Sequence, residues 1–579
     1  MAVVGFGLAL SSLDVGLSAI DDLGQRAFIL EHLQGHGDPS RPWWDVYTFL
    51  DGNVRQAIES MNVWASHWWT WPGLKIRFWR PAAAITLYAD YALFGDRHWL
   101  AHLHSAVWYA AACFSVTLLL LRLSRNRCAA MLGALLYTLD DAHAVAISWL
   151  ACRNALMAVT FVAVSLVFYD RATRGEPQRW VALSVLCFTL ALLSAEAAVS
   201  AIPMFVGHAM FVDRRRMTQK VGPLASILVT VVVWSAVYKW LGFGTSGAGS
   251  YLDPFRDGPV FWSNLPGRLL DLLHAQFAAP WPLAHVLPFT WLVTLEQFAR
   301  WIVLPATAVF VLRSIDRDAD VAFFSFSAAF GLIPVAAALP SERVLVLIGL
   351  ALWMLVALLV VAVIARTRAS ARHVKVLATI ALTVSFVMYI VLAPVALVAQ
   401  ARPRVATEGL DSKALNDDRT LNQRQLILIN VPSLFTPYDI MAERRRNGWP
   451  LPARFAVLGA TESEVEVTRV DAHSFELYSP PGYLLDPVTS HWRGPSVPLQ
   501  QGYRISVQEY EVLVVRVTPD GRPLRVRFRF SRALEDPALR FMFWTPGGLV
   551  DFPFGAMGVR QIIPASYDHT NQLPEAFVR

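Results

Sequence analysis

Apolar residues run through the first two thirds of the chain in long unbroken stretches and then give way to a mixed polar tail. A helix needs about 20 apolar residues to cross the hydrocarbon core. Spans fitting that rule fall at roughly 1–19, 101–121, 128–139, 154–169, 180–194, 197–212, 221–241, 290–312, 319–338, 344–365 and 375–398. The pattern therefore predicts a polytopic α-helical membrane domain of about 11 transmembrane helices over residues 1–401. After it the period changes. Leu426–Val431, Phe455–Leu458, Glu464–Val470, Phe475–Tyr478, Tyr503–Val507 and Glu511–Val517 are rich in β-branched and aromatic residues. The run from Leu524 to Phe530 alternates apolar residues with Arg525, Arg527 and Arg529, so one strand face is apolar and the other basic. Asp520-Gly521 just before it marks a turn. Residues 402–579 read as a small soluble β-rich domain, sandwich-like and without helical repeats.

Composition agrees: 55% of residues are hydrophobic and 16% charged, against about 25% charged in soluble domains. The net charge of +6 could suggest nucleic acid, but its placement speaks for topology. Arg122, Arg125 and Arg127; Arg171, Arg174 and Arg179; Arg214, Arg215, Arg216 and Lys220; Arg313 and Arg317; and Arg366, Arg368, Arg372 and Lys375 each follow an even-numbered span. Short basic loops stay in the cytoplasm. The N-terminus is then cytoplasmic, and the loops 20–100 and 242–289 lie outside together with the C-terminal domain. The expected location is a bacterial inner (plasma) membrane. The first segment lacks a basic n-region, so it reads as an anchor, shortened by a late start codon, rather than as a secretory signal. The four cysteines match neither a disulfide framework nor a zinc pattern.

The first outer loop is rich in tryptophan, including Trp43, Trp44, Trp64, Trp68, Trp69, Trp71, Trp79 and Trp99. Tryptophan favours the headgroup layer. Asn53–Trp64 and Pro81–Phe94 read as helices lying along the membrane surface, serving as anchors or as a platform for a lipid-linked substrate.

Several outer polar groups could carry chemistry. Asp21-Asp22 at the mouth of the first span is either a solvated loop start or holds a general base or metal ligand. Asp140-Asp141-Ala142-His143 forms a second acidic turn that could bind a divalent cation. Arg80, Arg153, Lys239 and Arg343 run against the topology signal; singly each reads as a snorkelling or paired cation, and together they suit a phosphate leaving group. His98 and His102 form an i,i+4 pair, of the kind that more often hydrogen-bonds than binds metal. Gly242–Gly247 matches GxGxxG but follows a membrane helix, so it reads as a flexible loop.

Taken in order, Arg80-Pro81, Asp90-Tyr91, Leu93-Phe94-Gly95 and His102-Leu103 resemble the RP…DY.LFG…HL run of GT-C membrane glycosyltransferases, closest to the protein O-mannosyltransferase-like branch that often carries tetratricopeptide repeats. Asp140 through Arg153 resembles that branch's HPVHVEAVAWIAGR stretch, keeping His143, Ala146, Trp149 and Arg153. Ser194–Val199 is similar to its SKE.AV element, and Gly249–Pro254 and Glu342-Arg343 fall in corresponding outer places. Asp140-Asp141 replaces the usual His-Pro, Val145 the usual Glu, Ala195 the usual Lys, and Val344 and Val346 the usual tyrosines. The resemblance spans roughly residues 20–350 and leaves out the repeats.

The resemblance implies a sugar moved from a polyprenyl-phosphate donor to an acceptor hydroxyl of a glycan, lipid or protein on the extracytoplasmic face, with inversion. It assigns Asp21 or Asp22 as catalytic base. Arg153, Lys239, Arg343 and Arg80 are assigned to the donor phosphate. Asp140, Asp141, His143, His102, Glu196 and Asp253 are assigned to substrate. No cofactor is required beyond a divalent cation left open. The rival expectation is a catalytically silent scaffold of the same ancestry whose tail binds a cell-surface partner. A transporter ranks third, because no span carries the acidic residues an ion path needs.

Overall fold

In the computed structural model, the described residues are 1–17, 19–55, 67–174, 179–277, 306–313, 318–367, 371–401, 415, 418, 420–432, 434, 444, 448–461, 463–485, 489–507, 509–545 and 548–565. The chain forms two compact units. The first comprises Met1–Tyr47, Phe78–Phe243 and Trp262–Pro403; the second comprises Thr48–Arg77, Gly244–Phe261 and Arg404–Arg579.

The first unit is helical, and the apolar runs set its helices. His98–Leu123, Leu150–Thr173, Met217–Trp240, Gly349–Thr367 and Arg372–Ala401 are each long and apolar enough to cross a membrane. Arg127–Leu139 with Asp141–Ser148 makes a sixth if the pair, bent by 47°, is one broken span. Shorter apolar helices cover Ala2–Ser12, Arg179–Ser194, Glu196–Val212 and Ala319–Val335. This is an integral membrane protein. Ten of the expected segments coincide with these helices, and the eleventh, at 290–312, lies largely outside the described residues. The first ends early: the helix Ala2–Ala9 tightens into a 3₁₀ turn at Leu10–Ser12, and a new helix begins at Ala19. Ser11 and Ser12 hydroxyls bond back to the carbonyls of Leu8 and Ala9, the local competition that makes serine a weak helix interior.

The second unit is built of strands. In chain order these are β1 (Thr48–Asp51), β2 (Lys75–Arg77), β3 (Gly244–Ser246), β4 (Gln425–Leu428), β5 (Arg454–Val457), β6 (Val465–Arg469), β7 (Ser474–Tyr478), β8 (Arg504–Val507), β9 (Tyr510–Val517), β10 (Pro523–Phe530), β11 (Leu539–Thr545), β12 (Gly548–Asp551) and β13 (Arg560–Ile563). They pair as a three-stranded sheet β1-β2-β3, a six-stranded sheet β13-β6-β7-β10-β9-β8 and a four-stranded sheet β12-β11-β4-β5. The six-stranded sheet is antiparallel, whereas β11, β4 and β5 run parallel. The two larger sheets share one apolar core: Phe475 and Phe530 of one meet Phe541 of the other at ring-centroid distances of 5.9 and 5.1 Å. The alternation of β10 is realised, with Val526 and Phe528 buried and Arg525 and Arg527 paired to Glu476.

The tryptophans of the loop 20–100 divide. Trp43 and Trp99 are exposed, as an interfacial residue would be, but Trp68 and Trp69 are buried in the core of the β-rich unit. Trp68 Nε1 donates to the Leu458 carbonyl and Trp69 Nε1 to that of Thr489. A buried indole needs such a partner, and here the partners come from the tail rather than from headgroups. The helix expected at Asn53–Trp64, with Trp64, lies almost wholly outside the described residues. Pro81–Phe94 is a helix.

Candidate functional site

Asp21 and Asp22 occupy the first turn of the helix Ala19–Leu33, where the helix dipole favours negative charge. Asp22 is buried, and its Oδ1 accepts the Ala151 N–H at 2.9 Å. That bond fixes the carboxylate to the 3₁₀ turn Leu150–Cys152. Asp21 is the more open of the two. Burial pushes its carboxyl from 3.8 up to about 6, while the charge of Arg343 and then that of Arg80 pull the other way. Asp21, Asp22, Arg80 and Arg343 all lie within electrostatic reach of Cys152, which marks the centre of the cluster.

Each cation is held by its own surroundings. Arg343 sits in the 3₁₀ turn Glu342–Val344, its guanidinium 5.5 Å from the centre of the Trp149 ring. Arg80 precedes the Pro81–Phe94 helix. Its Nε donates to Glu196 Oε2 at 2.8 Å, and its guanidinium lies over the Phe78 and Tyr47 rings at 4.4 and 5.0 Å. Glu196 Oε1 also accepts the Trp79 N–H at 3.1 Å. Tyr47 donates to the Ala151 carbonyl at 3.4 Å, and burial, ahead of any charge, raises its phenol well above the usual range. The structure thus gathers Asp21, Asp22, Arg80, Glu196 and Arg343 from four stretches of chain.

A second group lies deeper. Asp140 accepts from Trp353 Nε1 at 2.6 Å, Gln276 Nε2 at 2.8 Å and the Ala142 N–H at 3.1 Å. Asp141 accepts from Gln400 at 3.3 Å and is within electrostatic reach of Glu342. Tyr109 donates to the Thr138 carbonyl at 2.8 Å, so its oxygen accepts from His143 Nδ1 at 3.1 Å. His143 Nε2 is left as an acceptor without a partner, 3.9 Å from Asp140 Oδ2. Among the described residues no group of three or more His, Cys, Asp or Glu side chains is arranged to hold a metal ion.

Four of the residues singled out in the sequence make other contacts or lie elsewhere in the chain's elements. Arg153 is buried and forms an ion pair with Asp90 at 2.5 Å. It also donates to Ser105 Oγ at 2.9 Å and to the Ala101 carbonyl at 2.7 Å. It ties the Pro81–Phe94 helix to the His98–Leu123 helix, and a phosphate could reach it only by breaking that knot. Sequence reasoning missed Asp90 as its partner, although an acid in an otherwise apolar helix was the available signal. His102 Nε2 donates to the Gly16 carbonyl at 2.6 Å and so closes the break after the first helix. Lys239 is exposed in the last turn of Met217–Trp240. Asp253 belongs to the β-rich unit, where its side chain accepts the N–H groups of Phe255 and Arg256 at 2.8 and 3.1 Å and shapes a turn. Gly244–Ser246, inside the GxGxxG match, is strand β3 and pairs with β2.

The fold and cluster define a class: a polytopic helical membrane protein with a β-rich unit and a buried acid facing arginines. No protein-family model matches the chain, and no curated protein matches its sequence. Among solved structures it is similar to the oligosaccharyltransferase AglB of Archaeoglobus fulgidus in complex with an inhibitory peptide and a dolichol-phosphate, at a TM-score of 0.39 and 14% identity, covering 69% of this chain and 55% of that one. An apo form of the Archaeoglobus fulgidus oligosaccharyltransferase gives 0.39 and 13% over 79% of this chain and 64% of the other. ArnT from Cupriavidus metallidurans in the apo state gives 0.34 and 13%, over 74% and 85%. The chain thus spans little more than half the length of the first of these.

Proposed function

We propose that this protein is a membrane glycosyltransferase that moves a sugar from a polyprenyl-phosphate donor to an acceptor hydroxyl on the extracytoplasmic face. One observation carries the reading: Asp21, partly buried and with a raised pKa, faces Arg343 and Arg80 across one cluster. The order of motifs from Arg80-Pro81 to Glu342-Arg343 supports it.

Asp21 takes the proton of the acceptor hydroxyl as that oxygen attacks the anomeric carbon in line. The bond from that carbon to the phosphate oxygen breaks, and the polyprenyl phosphate leaves with one more negative charge. Arg343 compensates that charge, helped by Arg80, whose orientation Glu196 sets. A single displacement inverts the anomeric centre. A base of pKa about 6 is ionised at neutral pH and binds a proton more readily than an ordinary aspartate, which is the compromise general-base catalysis needs. Asp22, fixed by Ala151, positions the turn that carries Asp21. Asp140, Asp141 and His143 stand as contacts to the sugar, His143 Nε2 being the acceptor left over. The orientation that goes with this reading puts the basic loops and N-terminus in the cytoplasm of a bacterial inner membrane.

The test is transfer from a polyprenyl-phosphate sugar in proteoliposomes. Asp21→Asn should lower the rate by about 10²–10⁴-fold with donor binding retained. Undiminished transfer by Asp21→Asn would overturn the assignment and favour a silent scaffold. Lipid and glycan profiling of a deletion strain would then name the donor, as the lipid that accumulates, and the acceptor, as the linkage that disappears.

A further inference from the structure

On the side of the basic loops, the start of the helix Arg127–Leu139 meets the start of the helix Ala319–Val335 around a cavity of about 630 Å³. Its volume is in the range of ligand pockets, about 300–1,000 Å³. Arg125, Asn126, Arg127, Cys128, Asp318 and Asp320 line it.

Most of the polar capacity there is already spent. Asp320 is buried; its Oδ2 accepts the Ser124 hydroxyl and the Arg125 N–H, both at 2.7 Å, and its Oδ1 lies 4.0 Å from Arg125 Nε. Asn126 caps Ala129 at 3.0 Å. Asp318 uses one oxygen to cap the Asp320 N–H at 2.9 Å. Among the described residues, two opposite charges at the cavity are left without an ion pair. Arg127 is exposed and has no hydrogen-bond or ion-pair partner among the described residues, and Asp318 is exposed and in no ion pair among them. They do not neutralise each other.

That residue of charge selects a ligand. A simple anion would gain Arg127 and meet Asp318, and a simple cation would do the reverse. A zwitterion carrying a phosphate and an ammonium satisfies both. The surroundings say where it comes from. Met131, four residues beyond Arg127 and so on the same helix face, is 44% exposed, and Leu118 on the preceding helix is 43% exposed. Exposed apolar side chains such as these, on the helices that flank Arg125 to Arg127, would lie against acyl chains in a membrane. We propose that this cavity binds the phosphoethanolamine headgroup of a membrane lipid in the leaflet facing the basic loops, with phosphate on Arg127 and ammonium on Asp318. The ammonium has three N–H donors to give Asp318, which a choline headgroup lacks.

The test is lipid retention by the full chain, purified in detergent with an equimolar mixture of phosphatidylethanolamine, phosphatidylglycerol and phosphatidylcholine of one acyl composition. Native mass spectrometry should show phosphatidylethanolamine retained over both others. Arg127→Gln and Asp318→Asn should each weaken that retention by about tenfold, the effect of losing one charge-assisted hydrogen bond. Asparagine is as good a helix cap as aspartate, so Asp318→Asn separates lipid binding from folding, and Asp318→Glu should keep the lipid. Preference for phosphatidylglycerol, or displacement of the lipid by inorganic phosphate, would make this an anion site and overturn the proposal. Equal retention of phosphatidylcholine, or retention unchanged in both variants, would overturn it as well.

Discussion

Asp21 carries two consequences that follow from one pKa. Its folded value of about 6 lies above 3.8, so the folded state holds the proton more tightly than the unfolded chain does. Stability therefore falls as pH rises from 3.8 towards 6, and the cost of ionising the group is in full force above that window. Activity runs the other way, because a base works only when ionised. Transfer should rise with pH to a midpoint near 6 and level off above it. Arg343 lowers this pKa, so Arg343→Gln should move the midpoint to higher pH as well as slow the reaction; a pH–rate profile that keeps its midpoint in the variant would separate Arg343 from Asp21. By the same reasoning the slowed Asp21→Asn should be more stable at pH 7, on the order of 1–3 kcal/mol, measured by thermal unfolding. Both the acid pair and Arg343 were legible in the sequence, because they break an apolar, basic-inside pattern. Arg153 looked equivalent to Arg343 there. Only packing shows that Asp90 claims it, since the partner sits on another helix and no local rule links the two.

At the scale of elements, the segments 68–71 and 247–250 are held by a short stretch of the tail. Arg493 Nε donates to the Trp69 carbonyl at 2.7 Å, and its other nitrogens to Val497 O at 3.2 Å and Tyr503 Oη at 3.4 Å. Gly247 accepts the Gly494 N–H at 2.7 Å, and Gly249 donates to Ser490 O at 3.0 Å. Arg493→Ala would leave buried carbonyls unpaired, and should cost about 2–4 kcal/mol in the unfolding of the β-rich unit. Arg493→Lys should recover part of that, because one ammonium cannot reach all three acceptors. Tryptophan emission should shift to the red in step with the loss, as Trp68 and Trp69 reach water. Gly247 has φ +75°, and a Cβ there would fall 2.0 Å from the Trp71 ring. Gly247→Ala should destabilise the unit by at least about 2 kcal/mol. Elements such as β10 were readable from the sequence because alternation is local. The strands β1, β2 and β3 were not, being three or four residues long and lacking a periodic signal of their own.

At the scale of the whole molecule, the boundary near residue 402 marks where the apolar runs stop, and composition shows that change plainly. It does not show that the β-rich unit also includes Thr48–Arg77 and Gly244–Phe261. The pairing that recruits them spans up to 424 residues of sequence, as between Trp69 and Arg493. The chain therefore passes repeatedly between the two units, and Arg77 of one is followed directly by Phe78 and Arg80 of the other. Ending the chain after Pro403 would remove the acceptors of Trp68 and Trp69 and most of the core they share. Two buried indoles and their flanking strands would then face water without partners, a loss no loop sequence can replace locally. The spanning helices keep their own packing and should still insert. Limited proteolysis of the truncated chain in vesicles should cut first within 48–77 and 244–261, while the full chain resists at both places. If the truncated chain stays as resistant there as the full one, these segments fold without the tail, and the β-rich unit is an appendage after all. If they are cut, loss of transfer in the truncated chain follows from the loosening of the strand that leads into Arg80, with Asp21 itself untouched.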